Sequence, residues 1–377
     1  MKFSLSLPLL KDRASPDPYR ETFALAVLAE EHGFDTVTIG HHHFMPGNLA
    51  DPLTFLAAVA VRTSTVRVGT GIFQLPIHNP VRVAEQVATI DELSGGRISL
   101  GVGLGWWPLE YDVMGSDFGT RGARMEEALQ ILKLVWTEAD TAFAGRFWSF
   151  PELTVHPRPV QDPHPPLWVA GVADAAVDRA ARLGDAWVCG PVQSLAKVRA
   201  CRDAYRAGCA RAGRRPEWIL RRYAWVGADR RQVMEDVLPG YIDGLMDHWR
   251  ESVEDDAEKA LFARIDAGED VAPEEIAADR LLYGAPDDVI AQVQRYRLET
   301  GCEHVHAAFG AGLPASGAMA SLGKFEEIAE MIRLFGCEVI PAFARAAPSA
   351  GLEPAHTAPE ADALSPELRG RGLQTTW

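Results

Sequence analysis

Cysteine is scarce in this chain: five in 377 residues (Cys189, Cys201, Cys209, Cys302 and Cys337), an odd number with no C-x-x-C pair. That argues against a disulfide framework and for a reducing compartment. No stretch reaches the roughly eighteen charge-free apolar residues that a spanning helix needs. The start, Phe3-Ser4-Leu5-Ser6-Leu7-Pro8, has neither a basic flank nor a long apolar core, so it does not read as a signal peptide. The expectation is a cytoplasmic protein with no membrane partner. Basic residues are outnumbered, 37 Lys and Arg against 52 Asp and Glu, for a formal net charge of -15. Nucleic acid is therefore a poor partner, because phosphate binding needs clustered Lys and Arg. A small anionic ligand stays open, since it feels local dipoles more than net charge.

What is present is ordinary globular composition, 47% hydrophobic and 24% charged, enough for a large core. Short β-rich runs alternate with helical patterns. Phe3–Leu7, Thr36–Ile39, Val66–Phe73, Arg97–Val102, Leu167–Ala170, Ala186–Cys189, Ile219–Val226 and Glu303–Phe309 read as eight strands. Helical periodicity fills most of the gaps, with an irregular stretch before Pro166 and an acidic, helix-prone insertion around Glu251–Asp279, near strand seven. Eight β-then-α units predict a parallel sheet closed into a (β/α)₈ TIM barrel, with a doubly wound open sheet as the competitor. One barrel over 1–344 fits the size range of such folds. From Arg345 the chain turns Ala/Pro/Gly/Ser-rich, and 345–377 reads as a low-complexity, disordered C-terminal tail.

In such a barrel chemistry sits just after the strands. Strand two is followed by Gly40-His41-His42-His43-Phe44. Adjacent side chains on extended backbone alternate in direction, and no partnered carboxylate follows nearby, so a metal site is disfavoured. A general base or hydrogen-bond donor in a pocket is the better functional reading, with His41 and His43 individually read as polar rim. Thr70-Gly71-Ile72-Phe73 after strand three reads either as close backbone approach to a flat ligand or as a bulge. Gly101-Val102-Gly103-Leu104-Gly105-Trp106-Trp107 resembles a dinucleotide fingerprint only superficially, because Pro108 and an irregular stretch intervene before a long helix. A glycine floor walled by Trp106 and Trp107 suits a large planar ligand. Gly171-Val172-Ala173-Asp174 opens a helix whose free N–H groups could seat a phosphate, with Asp174 as a competing N-cap.

Several runs together carry a resemblance. They are Ala29-Glu30-Glu31-His32-Gly33-Phe34-Asp35, His41-His42-His43-Phe44, and Val68-Gly69-Thr70-Gly71-Ile72 with His78-Asn79-Pro80-Val81. The longest joins Ala84-Glu85-Gln86-Val87-Ala88-Thr89-Ile90-Asp91-Glu92-Leu93-Ser94-Gly95-Gly96-Arg97 to Leu100-Gly101-Val102-Gly103. Pro165-Pro166-Leu167-Trp168-Val169-Ala170-Gly171, Leu183-Gly184-Asp185-Ala186-Trp187 and Tyr283-Gly284-Ala285-Pro286-Asp287-Asp288 complete the set. Over roughly residues 1 to 343 the chain resembles the luciferase-like flavin-dependent monooxygenases and their deazaflavin (F420)-dependent relatives.

The resemblance implies a usually dimeric barrel that binds reduced flavin at its C-terminal face and reacts it with O₂, oxygenating a small or medium organic substrate. His42 matches the catalytic histidine, and Gly71-Ile72 the cis peptide under the flavin ring. Thr70, Gly71, Ile72, Gly103, Trp107, Ala170, Gly171, Val172 and Ala173 become the expected cofactor contacts, with no metal. Departures stand beside these matches: Leu104 replaces a phosphate-binding arginine, and Ala173 and Ala176 replace hydroxyl residues. The phosphate would then rest on backbone donors alone, which predicts weakly held FMN delivered by a separate flavin reductase. Phe73, Trp106, Trp107 and Trp187 are the expected walls of a dry pocket. The runner-up is an F420-dependent oxidoreductase moving hydride without oxygen, and a third reading is a non-catalytic flavin-binding protein.

Overall fold

The computed structural model describes residues 1–9, 17–45, 48–240, 242–243, 246, 256–310 and 323–344. Helix starts follow a simple local code. Asp17 accepts the Arg20 N–H ahead of helix α1 (Pro18–Glu31), and Asp51 accepts the Thr54 N–H ahead of α2 (Pro52–Ala60). Asn79 accepts from Val81 and Arg82 ahead of α3 (Pro80–Ser94), which ends on Gly95 at φ 64. In each case an Asx side chain satisfies an orphan donor and the proline takes the first helical position, where no N–H is needed.

The strands are β1 (Lys2–Leu7), β2 (Thr36–Ile39), β3 (Arg67–Thr70), β4 (Ile98–Val102), β5 (Thr141–Ala144), β6 (Ser149–Leu153), β7 (Leu167–Ala170), β8 (Ala186–Cys189), β9 (Trp218–Val226), β10 (Leu281–Gly284) and β11 (His304–Phe309). The main sheet runs β10-β9-β11-β1-β2-β3-β4-β7-β8, all parallel, and β8 pairs back onto β9. That last pairing closes an eight-strand barrel, the predicted (β/α)₈ fold. Helices α4 (Pro108–Val113), α5 (Arg121–Thr137), α6 (Asp174–Leu183), α7 (Leu195–Arg211), α8 (Asp256–Asp266), α9 (Pro273–Ala277), α10 (Pro286–Thr300) and α11 (Phe325–Leu334) complete the described elements used below.

Alternation along the strands sorts side chains by face. Phe3, Leu5 and Leu7 of β1 join the large core beneath the helices. Ser4 instead hydrogen-bonds His304 of the neighbouring strand β11, and Trp168, Ala186, Val188 and Ile219 form a separate cluster.

Three features differ from the sequence reading. Strand β10 is a ninth parallel strand, pairing Leu281–Gly284 with the upper half of β9, Tyr223–Val226. The stretch before Pro166, read as irregular, contains the antiparallel hairpin β5–β6 outside the barrel, its turn held by Glu127 accepting the N–H groups of Arg146, Phe147 and Trp148. The third strand stops at Thr70 rather than Phe73, with Phe73 returning as a single bridge to Val102. Part of the acidic insertion, 251–255, and the tail from Arg345 lie outside the described residues.

Candidate active site

The sequence-predicted residues all fall at the C-terminal ends of β2, β3, β4 and β7, the face where a (β/α)₈ barrel carries its reactive loops. The Gly71–Ile72 peptide bond is cis, the geometry the resemblance implies. A Cβ on Gly71 would lie 2.6 Å from Thr38 Oγ1, and one on Gly103 would lie 2.7 Å from Ile72 Cδ1. A side chain at either position would force Thr38 or Ile72 to shift, so both glycines fit the close packing here. The Thr70 hydroxyl donates to Gly101 O at 2.6 Å and is fully buried. Its side chain is committed to the neighbouring strand, so only its backbone remains for a ligand.

Beneath this floor the barrel axis is polar. Thr38 Oγ1 lies 3.0 Å from His306 Nε2, and Arg221 donates to Gly71 O and to Ser6 Oγ at 3.4 Å. Burial pushes His304 down to about 3, with Lys2 adding to the effect, and holds His306 well below the usual histidine range, so both rings are neutral.

The three histidines after β2 separate in role. His41 is buried and stacks on Phe73 at 4.9 Å between ring centroids, and Phe73 stacks in turn on His78 at 4.5 Å. Burial, then the neighbouring His78 and His43, push His41 down to about 2, while burial and His43 bring His78 to about 4. His41, His43 and His78 bring one nitrogen each within 4.8 Å of one another, a spacing a metal could use. The wiring opposes that use: His41 Nδ1 accepts the Gln74 N–H at 3.1 Å, so its proton sits on Nε2, 2.9 Å from His43 Nε2. A ring whose one nitrogen accepts and whose other donates has no lone pair left for a cation.

His42 takes a different course. Its side chain is 24% exposed, beside Trp106 at 6.0 Å, and its Nδ1 lies 3.2 Å from Glu110 Oε1. Glu110 is fully buried on α4 and also accepts from the His43 N–H at 2.7 Å and Gln74 Nε2 at 2.9 Å. Neither Glu110 nor Gln74 was picked out from sequence. The only signal was a carboxylate one turn inside a helix opened by Pro108, which is commonplace.

The pocket walls are corrected in two places. Trp187 is fully buried in the core, against Tyr205 at 5.7 Å and Trp218 at 5.6 Å, with its Nε1 donating to Gly171 O. Phe73 is likewise enclosed by the two histidines. Trp106 is 60% exposed at the rim and stacks on the partly buried Trp107 at 6.5 Å. At the start of α6, Ala173 is the N-cap residue and no side chain caps the helix, while Asp174 points to solvent. The predicted competition from Asp174 is therefore absent among the described hydrogen bonds. Gly171 sits at φ 146 with a would-be Cβ 2.5 Å from Ala176 Cβ, so only glycine lets this loop fold over the helix start. The glycine-rich cis-peptide segment and the uncapped helix start suit a flat ring carrying a phosphate.

The oxygenase component of a flavin-dependent trigonelline monooxygenase from Acinetobacter baylyi (strain ATCC 33305 / BD413 / ADP1) is 34% identical over 176 residues, 45% of this chain and 49% of that protein. An FMNH(2)-dependent dimethylsulfone monooxygenase of Pseudomonas putida is 34% identical over 196 residues, 50% of this chain and 53% of that one. The chain spans about half the length of these curated relatives. The crystal structure of monooxygenase RslO1 from Streptomyces bottropensis matches with a TM-score of 0.76 at 27% identity, covering 91% of this chain and 100% of that one. The family model described as luciferase-like monooxygenase matches residues 1–304. This polar-floored barrel, with its histidine after β2 and its cis peptide after β3, belongs to the luciferase-like monooxygenase family.

Proposed function

We propose that the chain is a flavin-dependent monooxygenase that uses reduced FMN and O₂ to oxygenate a small or medium organic substrate. The observation that carries this reading is the partly exposed His42 after β2, together with the cis Gly71–Ile72 peptide after β3, at the C-terminal end of the barrel strands. Gly71, Ile72, Gly103 and Trp107 would hold the ring. The backbone of Ala170, Gly171, Val172 and Ala173 would take the phosphate at the positive end of the α6 dipole. When bound, the reduced flavin supplies the electrons that activate O₂. His42 would move the proton, and Trp106 and Trp107 would limit access of water from the rim.

With Leu104, Ala173 and Ala176 at the positions where relatives grip the phosphate, affinity rests on neutral N–H donors, which are weaker than charge-assisted ones. This supports exchangeable FMN and a separate reductase as transient partner, and the family resemblance implies a homodimer. Oxygen uptake with photoreduced FMN tests the reading, and flavin lost on gel filtration is the expected companion result. Stoichiometric retention would overturn the exchangeable-cofactor part. The Trp106–Trp107 pair after β4 also supports the F420 alternative. Hydride transfer with reduced F420 and no oxygen uptake would select it, and silence with both cofactors would favour a non-catalytic flavin binder.

A further inference from the structure

His42, Gln74 and Glu110 come from three separate loops, after β2, β3 and β4, and meet through hydrogen bonds spanning 32 to 68 residues of sequence. Glu110 is fully buried, and two N–H groups donate to it, the His43 backbone to Oε1 and the Gln74 amide to Oε2, the setting that suits an acceptor-only carboxylate. The orientation of the Gln74 amide follows from its surroundings. Its Nε2 faces Glu110 Oε2 at 2.9 Å and His41 O at 3.4 Å, and a flipped amide would set oxygen against both.

His42 Nδ1 lies 3.2 Å from Glu110 Oε1 and 3.2 Å from Gln74 Nε2, so two wirings compete. Protonated, Nδ1 donates to the carboxylate. Unprotonated, it accepts from Gln74 while its lone pair stands against an anionic oxygen at the same distance. The carboxylate decides between them. A charge-assisted hydrogen bond is about twice as strong as a neutral one, and lone-pair repulsion is poorly screened in a buried network.

We propose that Glu110 is a positioning residue: it holds His42 as the Nδ1–H tautomer, so that Nε2 carries the lone pair that takes a proton from a bound ligand. The assignment rests on the reading of His42 as the proton-exchanging group and adds which nitrogen reacts and what orients it. In the transfer the ligand's X–H bond breaks as Nε2–H forms. The pair of electrons stays on X, and the imidazolium keeps its Nδ1–H on Glu110, so no oxidant or reductant is involved.

The test is ¹⁵N spectroscopy of the full chain labelled at histidine, at alkaline pH where imidazoles are neutral, with the His42 signals identified by their loss in His42→Gln. In wild type, His42 should show a pyrrole-type Nδ1 and a pyridine-type Nε2. In Glu110→Gln the two should exchange character or average, with kcat lowered about 10–100-fold, the range for a group that orients a histidine, and KM little changed. Gln74→Met removes the competing donor and should retain the wild-type pattern. A wild-type Nε2–H tautomer overturns the proposal outright, even if the Glu110 variant does not fold. So does an unchanged tautomer in folded Glu110→Gln, or a reversal in Gln74→Met. If the tautomer results are as expected but wild type shows no flavin-dependent turnover, the functional reading and the proton transfer fail, and only the orientation of His42 by Glu110 stands.

Discussion

His42 and His41 are neighbours in sequence with opposite fates. His41 is sealed under Phe73 and pushed down to about 2, so it is a fixed neutral link, while His42 keeps a quarter of its side chain exposed to the mouth. His42→Ala should therefore cut product formation by about 10²–10⁴-fold, the usual worth of a positioned acid or base, with the melting temperature almost unchanged. Turnover equal to wild type would remove His42 from the mechanism. The glycines of the floor behave differently. Gly71→Ala places a methyl 2.6 Å from Thr38 Oγ1 and should cost about 1–3 kcal/mol by overpacking. Gly40→Ala, with nothing within 4 Å, should stay within about 0.5 kcal/mol. Denaturant unfolding of the two variants side by side checks the contrast, and equal stabilities would contradict it.

Among elements, α6 is the informative one. Its start has an alanine N-cap and no side-chain hydrogen bond, whereas α1, α2 and α3 each carry an Asx cap. Ala173→Ser should stabilise the helix by about 1 kcal/mol and tighten FMN binding several-fold, by adding a hydroxyl beside the donors proposed for the phosphate. A higher melting temperature with unchanged FMN affinity would place the phosphate elsewhere. How legible each element was follows from the same local chemistry. Asp17-Pro18, Asp51-Pro52 and Asn79-Pro80 announce helix starts because cap and first turn are neighbours in sequence. The hairpin β5–β6 is not legible because its residues are largely exposed and form no apolar run, unlike the equally short but buried β2, β7 and β8.

At the scale of the whole molecule, the barrel interior and mouth hold several histidines in neutral form. His41 at about 2, His304 at about 3 and His78 at about 4 all lie below an unfolded value near 6.5. The sign follows directly. Such groups bind more protons unfolded than folded over that window, so their contribution is present above about pH 6.5 and is lost as pH falls toward 4 to 2. The melting temperature should drop steadily between about pH 7 and pH 4, and a flat profile would contradict the buried neutral rings.

Sequence by itself determined the eight alternating strand-and-helix units, the Asx-Pro helix starts and the place of the histidines and glycines after the strands. Those features are written in hydrophobic period and near-neighbour chemistry. Tertiary structure alone decided that β8 closes on β9, that Trp187 and Phe73 are core rather than pocket, and that Glu110 and Gln74 meet His42. Each of those depends on which loops a closed barrel brings to one rim. A buried carboxylate chooses its partners across that rim, 68 residues away, by hydrogen-bond geometry that no local pattern records.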